Sequence, residues 1–178
     1  MRKVISSWSG GKESCLACYR AIKHGYKMEY LLNFISIKYK RCCFHGIEAR
    51  LINLQSKLIA IPLSNDLGIQ PIEPLWKVPP EKVIEEFINL GFKAAIVSCK
   101  ADLFEEEFVG RYVDKYLLDE LKERRICPCG KNGEFHTFIV DGPIYQKRIE
   151  ITKSQLVLRQ SFWKYWFLDI LEWRLKEK

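Results

Sequence analysis

The chain has 178 residues and sets 29 lysines and arginines against 22 acidic residues, a formal charge of +7, with 48% apolar and 13% aromatic side chains. That is material for the core of one domain, or of one domain with a small appendage; no apolar run approaches the ~20 residues of a membrane helix. Met1-Arg2-Lys3 leads into too short an apolar stretch for a signal peptide, and seven cysteines, an odd number, suit cytosolic thiols rather than a disulfide framework, so a cytoplasmic protein is expected.

In chain order, residues 2 to 7 read as a strand and 12 to 24 as a helix that Gly25 ends. Tyr30 to Ile37 is a second apolar strand. After the loop Cys42-Cys43-Phe44-His45-Gly46, Ile47, Leu51, Leu54 and Leu58 mark one face of a helix, Ile59-Ala60-Ile61-Pro62-Leu63 then turns extended, and Pro62 stops the helix. A turn cluster at 64 to 68 and a proline-punctuated extended segment at 69 to 76 follow. Pro79-Pro80-Glu81 opens a helix with Val83, Ile84, Phe87 and Ile88 inside and Gly91 as terminator. Residues 93 to 99 are a buried strand, and Val113, Tyr116, Leu117 and Leu121 define another helix. Strands alternating with helices predict an α/β fold, a parallel sheet with helices on both faces.

From Glu134 the period changes to two. Phe135 to Pro143 reads as a strand and turn, and Ile149-Glu150-Ile151 with Leu156-Val157-Leu158 as a hairpin. The aromatic tail, 162 to 175, is a capping strand or helix, or a subunit contact that would make a homo-oligomer. Two units are expected, 1–99 and 100–178.

Two stretches carry chemistry. In Ser7-Trp8-Ser9-Gly10-Gly11-Lys12-Glu13-Ser14, two glycines lie at a strand-to-helix turn, where the backbone can curl its N–H groups inward and the helix dipole backs them. With Lys12 as cation and Ser9 and Ser14 as hydroxyl donors this is a phosphate cradle. It is not a Walker A loop, since Ser6 stands where the first glycine would be and Glu13 follows Lys12. The second stretch, Gly130-Lys131-Asn132-Gly133-Glu134-Phe135-His136-Thr137, offers an amide, a carboxylate and an imidazole between glycines that allow close approach of a ligand. Cys15 and Cys18, at i and i+3 of the first helix, read as core thiols, and Cys127 with Cys129 only half meets the pattern of a zinc site, so no metal centre is expected.

The first loop resembles the SGGKDS pyrophosphate loop of PP-loop ATPases. Together with Phe44-His45-Gly46, Pro74-Leu75-Trp76, Val140-Asp141-Gly142-Pro143 and the GKNGEFHT stretch, most of the chain is similar to the diphthine-ammonia ligase family. The resemblance implies a HUP-type ATP-binding domain followed by a small α+β domain that carries the second motif. It implies ATP and Mg2+ as cofactors, ammonium and diphthine-bearing translation elongation factor 2 as partners, and amidation of diphthine through an acyl-adenylate. It places ATP at Ser7, Ser9, Gly10, Gly11, Lys12, Ser14 and His45, and the substrate at Gly130, Asn132, Gly133, Glu134, His136 and Thr137, with Lys12, Glu134 and His136 catalytic.

Three departures accompany the resemblance. Glu13 and Lys131 stand where the family has aspartate and glutamate, and a strand-and-helix unit that the family carries after its Ile-Pro-Leu segment is missing after Leu63. Two other readings stay open at this point. One is a PP-loop enzyme adenylating another substrate such as a tRNA base, although charges this evenly interspersed make a nucleic-acid partner unexpected, and the lack of a long apolar run makes a membrane partner unexpected too. The other is a nucleotide-binding paralogue without turnover.

Overall fold

The computed structural model describes residues 2–36, 40–42, 46–61, 63–64, 74–75, 77–160 and 163–178. The first half is built from β1 (Lys3–Ser7), α1 (Lys12–Lys23), β2 (Lys27–Leu32), the short strands β3 (Ile35–Ser36) and β4 (Arg41–Cys42), α2 (Ala49–Leu58) and β5 (Leu63–Ser64). The strands β1, β2 and β5 lie side by side in that order, both pairings parallel, and β3 pairs with β4 antiparallel. Cys15, Leu16 and Cys18 bury the inner face of α1, and Leu51, Ile52 and Leu58 that of α2.

The second half begins with α3 (Pro80–Asn89), which carries proline in its first turn where no intrahelical N–H is needed. Then come β6 (Lys93–Lys100), a 3-10 turn (Glu106–Phe108), α4 (Lys115–Glu123), β7 (Phe135–Asp141), β8 (Arg148–Gln160) and β9 (Lys164–Lys176). Asp114 caps α4 by accepting from Leu117 N at 2.8 Å. The four strands form one antiparallel sheet in the order β7-β6-β9-β8. The molecule is therefore α/β with a small parallel sheet and a larger antiparallel one.

Three expectations need correction. The strand at 93–99 pairs antiparallel with β7 and β9 rather than joining a parallel sheet. Its six central residues are all buried, and a strand covered on both faces reads as one apolar run whichever way its neighbours point. The boundary drawn at 99 and 100 thus falls at the end of a strand of the second sheet.

The hairpin expected within 149–158 is instead one strand of 13 residues, and its partner is the aromatic tail, from Arg148↔Lys176 to Gln160↔Lys164. Thr152-Lys153-Ser154-Gln155 is polar because it lies on an exposed outer strand, and register shifts around Lys153 bend it without turning it back. The extended stretch expected from Ile59 is likewise short. Ile59 closes α2, Ala60 has φ 55°, and Leu63–Ser64 form β5. The turn cluster beyond Ser64, the segment up to 73, and Trp76 lie outside the described residues.

The two halves are joined at defined contacts. Ile139 N donates to Gly10 O at 3.0 Å, Gln146 N to Leu58 O at 2.8 Å, and Arg41 Nη1 to Asp169 Oδ1 at 3.0 Å. These place the loop after β1 along the free edge of β7, so the two sequence motifs meet.

Candidate functional site

Gly10 opens the turn at φ +81°, a conformation that a side chain would strain. A Cβ there would also stand 2.6 Å from Gln55 Oε1 and 2.7 Å from Ile52 Cδ1. Gly11 is the N-cap of α1, and its N–H donates to Ser9 Oγ at 3.3 Å. Ser9 Oγ and Ser14 Oγ are 3.2 Å apart, and Ser14 Oγ donates to Gly11 O at 3.0 Å. Both hydroxyls are half-buried at the start of a helix, and Ser7 is exposed at the end of β1. Hydroxyls beside a helix N-terminus suit a phosphate oxygen.

Lys12 does not stand open to solvent. It is 2% exposed, its N–H donates to Thr137 Oγ1 at 3.1 Å, and its ammonium donates to Cys129 O at 2.9 Å. The same ammonium lies 3.1 Å from Glu13 Oε1 and 4.6 Å from the centre of the Phe135 ring. The loop lysine is thus held by the Cys127-to-Thr137 stretch of the other half, at the seam between the two motifs.

The second motif is organised around a buried carboxylate. Both Glu134 oxygens accept from Asn132, Oε2 from its backbone N–H at 2.8 Å and Oε1 from Nδ2 at 3.0 Å. Lys100 Nζ donates to Asn132 O at 3.0 Å, and Tyr165 OH to Gly133 O at 2.9 Å. Gly130 has φ +67°, and a Cβ on it would lie 2.5 Å from Phe135 O. Gly130→Ala should therefore lower the thermal midpoint by several degrees, because the turn that carries Cys129 O to the Lys12 ammonium must shift to clear Phe135 O. An unchanged midpoint would mean that the turn accommodates a side chain.

Of the expected site residues, the loop group Ser9, Gly10, Gly11, Lys12 and Ser14 and the motif residue Thr137 come together. Gly130 and Gly133 shape the turn that carries Asn132 and Glu134. Successive strand residues face opposite ways, so His136, half-buried, points away from the side where Thr137 meets Lys12; its cross-strand partner is Ser98. His45 lies outside the described residues.

Three residues of this region were not singled out from the sequence. Gln55, fully buried, donates from Nε2 to Gly10 O at 3.1 Å and to Ile139 O at 2.9 Å, and accepts from Trp8 Nε1 at 3.0 Å. A polar residue spaced 4 from Leu51 and 3 from Leu58 on an apolar helical face was the available signal. Trp8 is 1% exposed, and Asn33 Nδ2 donates to its carbonyl. Ser98 Oγ is buried beside the His136 register with no hydrogen-bond partner among the described residues.

Cys15, Cys18, Cys99 and Cys129 behave as core. Burial pushes the Cys18, Cys99 and Cys129 thiols up to about 12 and the Cys15 thiol well above its ordinary value. The thiolate is the reactive form, so at pH 8 these four should resist iodoacetamide in the folded chain. Peptide mapping that found any of them labelled as fast as after unfolding would contradict the burial. Among the described residues no group of three His, Cys, Asp or Glu side chains is placed to hold a metal ion, and no helix is long and apolar enough to cross a membrane.

The fold and site define an α/β protein in which a glycine loop between strand and helix is clamped by a glycine-rich motif of a second sheet. A family model for the diphthamide synthase N-terminal domain matches residues 2–70, and one for its C-terminal domain matches 79–175. The chain belongs to the diphthamide synthase family. It is 30% identical over 118 residues to proteins named diphthine–ammonia ligase from Bos taurus and Homo sapiens, covering 63% of this chain and 44% of theirs. For the relative of that name from Schizosaccharomyces pombe the identity is 29% over 99 residues, 53% of this chain and 16% of the relative. The chain thus spans less than half the length of these relatives.

Proposed function

We propose that the protein is an ATP-dependent ligase that amidates the diphthine carboxylate of translation elongation factor 2 with ammonia. The observation that carries this is the seam itself. The phosphate-type loop and the motif expected to face the substrate are hydrogen-bonded through one residue, Lys12, by its backbone to Thr137 and by its ammonium to Cys129 O. A reaction that activates a carboxylate on a nucleotide needs these two surfaces in contact.

In the first step a carboxylate oxygen of diphthine attacks the α-phosphorus of ATP, the bond to the bridging oxygen breaks, and pyrophosphate leaves with the electron pair. In the second, the ammonia nitrogen attacks the acyl carbon, the bond from that carbon to the AMP oxygen breaks, and a proton is lost to solvent. Charge builds on pyrophosphate, so the protein's main task is electrostatic. In this reading the α1 N-terminus with Ser7, Ser9, Gly10, Gly11 and Ser14 receives the phosphates. Lys12, held by a neutral carbonyl and Glu13, exchanges Cys129 O for a phosphate oxygen as ATP enters. Glu134 orders the Asn132 turn that meets the substrate with Gly130, Gly133 and Thr137, and His136 serves from the opposite face of β7. No resident metal site is assembled by the described residues, so Mg2+ would come in on the phosphates. The nucleotide-binding unit would be HUP-type, and the protein cytoplasmic.

The test is mass spectrometry of diphthine-bearing elongation factor 2 incubated with the chain, ATP and ammonium. Conversion of the carboxylate to the carboxamide, dependent on all three additions, is the expected result. Retention of the carboxylate while ATP binds would favour the reading as a nucleotide-binding paralogue, which the burial of the Lys12 ammonium also suits.

A further inference from the structure

The turn that carries Asn132 and Glu134 is held from outside by the ends of two strands. Lys100, the last residue of β6, and Tyr165, near the start of β9, are cross-strand partners, so their side chains rise side by side on one face of the sheet. Ala101 N donates to Lys164 O at 3.0 Å and fixes that end of the pairing. Three consecutive carbonyls of the turn accept from this pair. Asn132 O accepts from Lys100 Nζ at 3.0 Å, Gly133 O from Tyr165 OH at 2.9 Å, and Glu134 O from the Lys100 backbone N–H at 2.9 Å.

Packing does little to shape the turn itself, since Lys131 and Asn132 are exposed and Gly133 has no side chain to anchor it. Its form rests on hydrogen bonds, internal ones between Asn132 and Glu134 and from Gly133 N to Gly130 O, and the external ones from Lys100 and Tyr165. The two external side chains fix successive peptide planes, Lys100 the plane between Asn132 and Gly133, Tyr165 the plane between Gly133 and Glu134. What these planes aim is the exposed Asn132 amide. Burial and the Asp102 and Glu134 carboxylates raise the Tyr165 phenol above its ordinary value, so it remains a donor through neutral and mildly alkaline pH.

We infer that Tyr165 and Lys100 are positioning residues, which act through the Asn132 and Gly133 turn to set how tightly the protein substrate is held, and that the aromatic tail thereby belongs to the site. The inference rests on the ligase reading for the identity of that substrate. Lys12 meets the same stretch elsewhere, at Cys129 and Thr137, so nucleotide affinity should be independent of the pair.

The test takes the full chain with Tyr165→Phe, which removes one hydroxyl and keeps the ring whose centre lies 6.1 Å from that of Phe167. Nuclear magnetic resonance should show the Gly133 carbonyl carbon shifted, and the Asn132 backbone amide, bonded to Glu134, exchanging faster with solvent. Calorimetry should show diphthine-bearing elongation factor 2 bound about fivefold or more weakly, with ATP bound as by the unsubstituted chain. Lys100→Met should act in the same direction, and Lys100→Arg, which keeps a donor, should restore most of the affinity. An unchanged Asn132 exchange rate, affinity for the factor retained by both Tyr165→Phe and Lys100→Met, or equal losses for factor and ATP would overturn the inference, the last by making the pair a support of the fold alone. The ligase reading survives any of these. Failure of the unsubstituted chain to bind the factor would overturn that reading and this inference together.

Discussion

Lys12→Met should reduce pyrophosphate release by about 100-fold or more while leaving the chain folded. Methionine has an apolar stem of similar length and sets a polarizable end near the Phe135 ring where the ammonium lies 4.6 Å from its centre, so packing volume changes little. What is lost is the charge. The variant leaves Cys129 O without its donor, at a cost of ~1–3 kcal/mol, and it also removes the desolvation penalty of an ammonium that is 2% exposed, which offsets part of that cost. A thermal melt beside a pyrophosphate assay separates the two effects. A small loss of midpoint with a large loss of release assigns Lys12 to phosphate charge, whereas a large loss of midpoint with full release would make it a structural clamp.

Gln55→Leu should have the largest effect on stability, ~3 kcal/mol or more, measured as a lowered urea midpoint. The volume is nearly conserved, so the cost lies in hydrogen bonding. Trp8 Nε1 loses its acceptor, and Gly10 O and Ile139 O lose a donor, in a region where Gln55 has no exposed surface. Gly10 O still accepts from Ile139 N, so the two sheets stay joined and the chain stays folded at neutral pH. A loss below about 1 kcal/mol would show that the loop finds other partners for these groups.

Local features were legible in the sequence wherever one residue type has one physical use. Gly10 and Gly11 mark the strand-to-helix turn, Pro79 and Pro80 the start of α3, and Leu51 and Leu58 the buried side of α2. The second motif stood out through Gly130, Asn132 and Glu134, which prove to be one hydrogen-bonded turn. Long-range pairing was not legible. In the sequence β8 reads as two strands because an outer strand tolerates Lys153 and Ser154, and β6 reads as parallel because six buried residues in a row carry no direction. The position of the Lys12 ammonium depends on Cys129, 117 residues away in the chain, and no local pattern records that contact. Gln55 did carry a signal, a polar side chain on an apolar stripe, but its three partners come from separate elements.

The most direct measurement of the account is release of pyrophosphate and AMP by the purified chain, given ATP and ammonium, with and without diphthine-bearing elongation factor 2. The account predicts equal amounts of both products, only when the factor is present, and neither from Lys12→Met. ATP bound with no pyrophosphate released in the presence of the factor would contradict it.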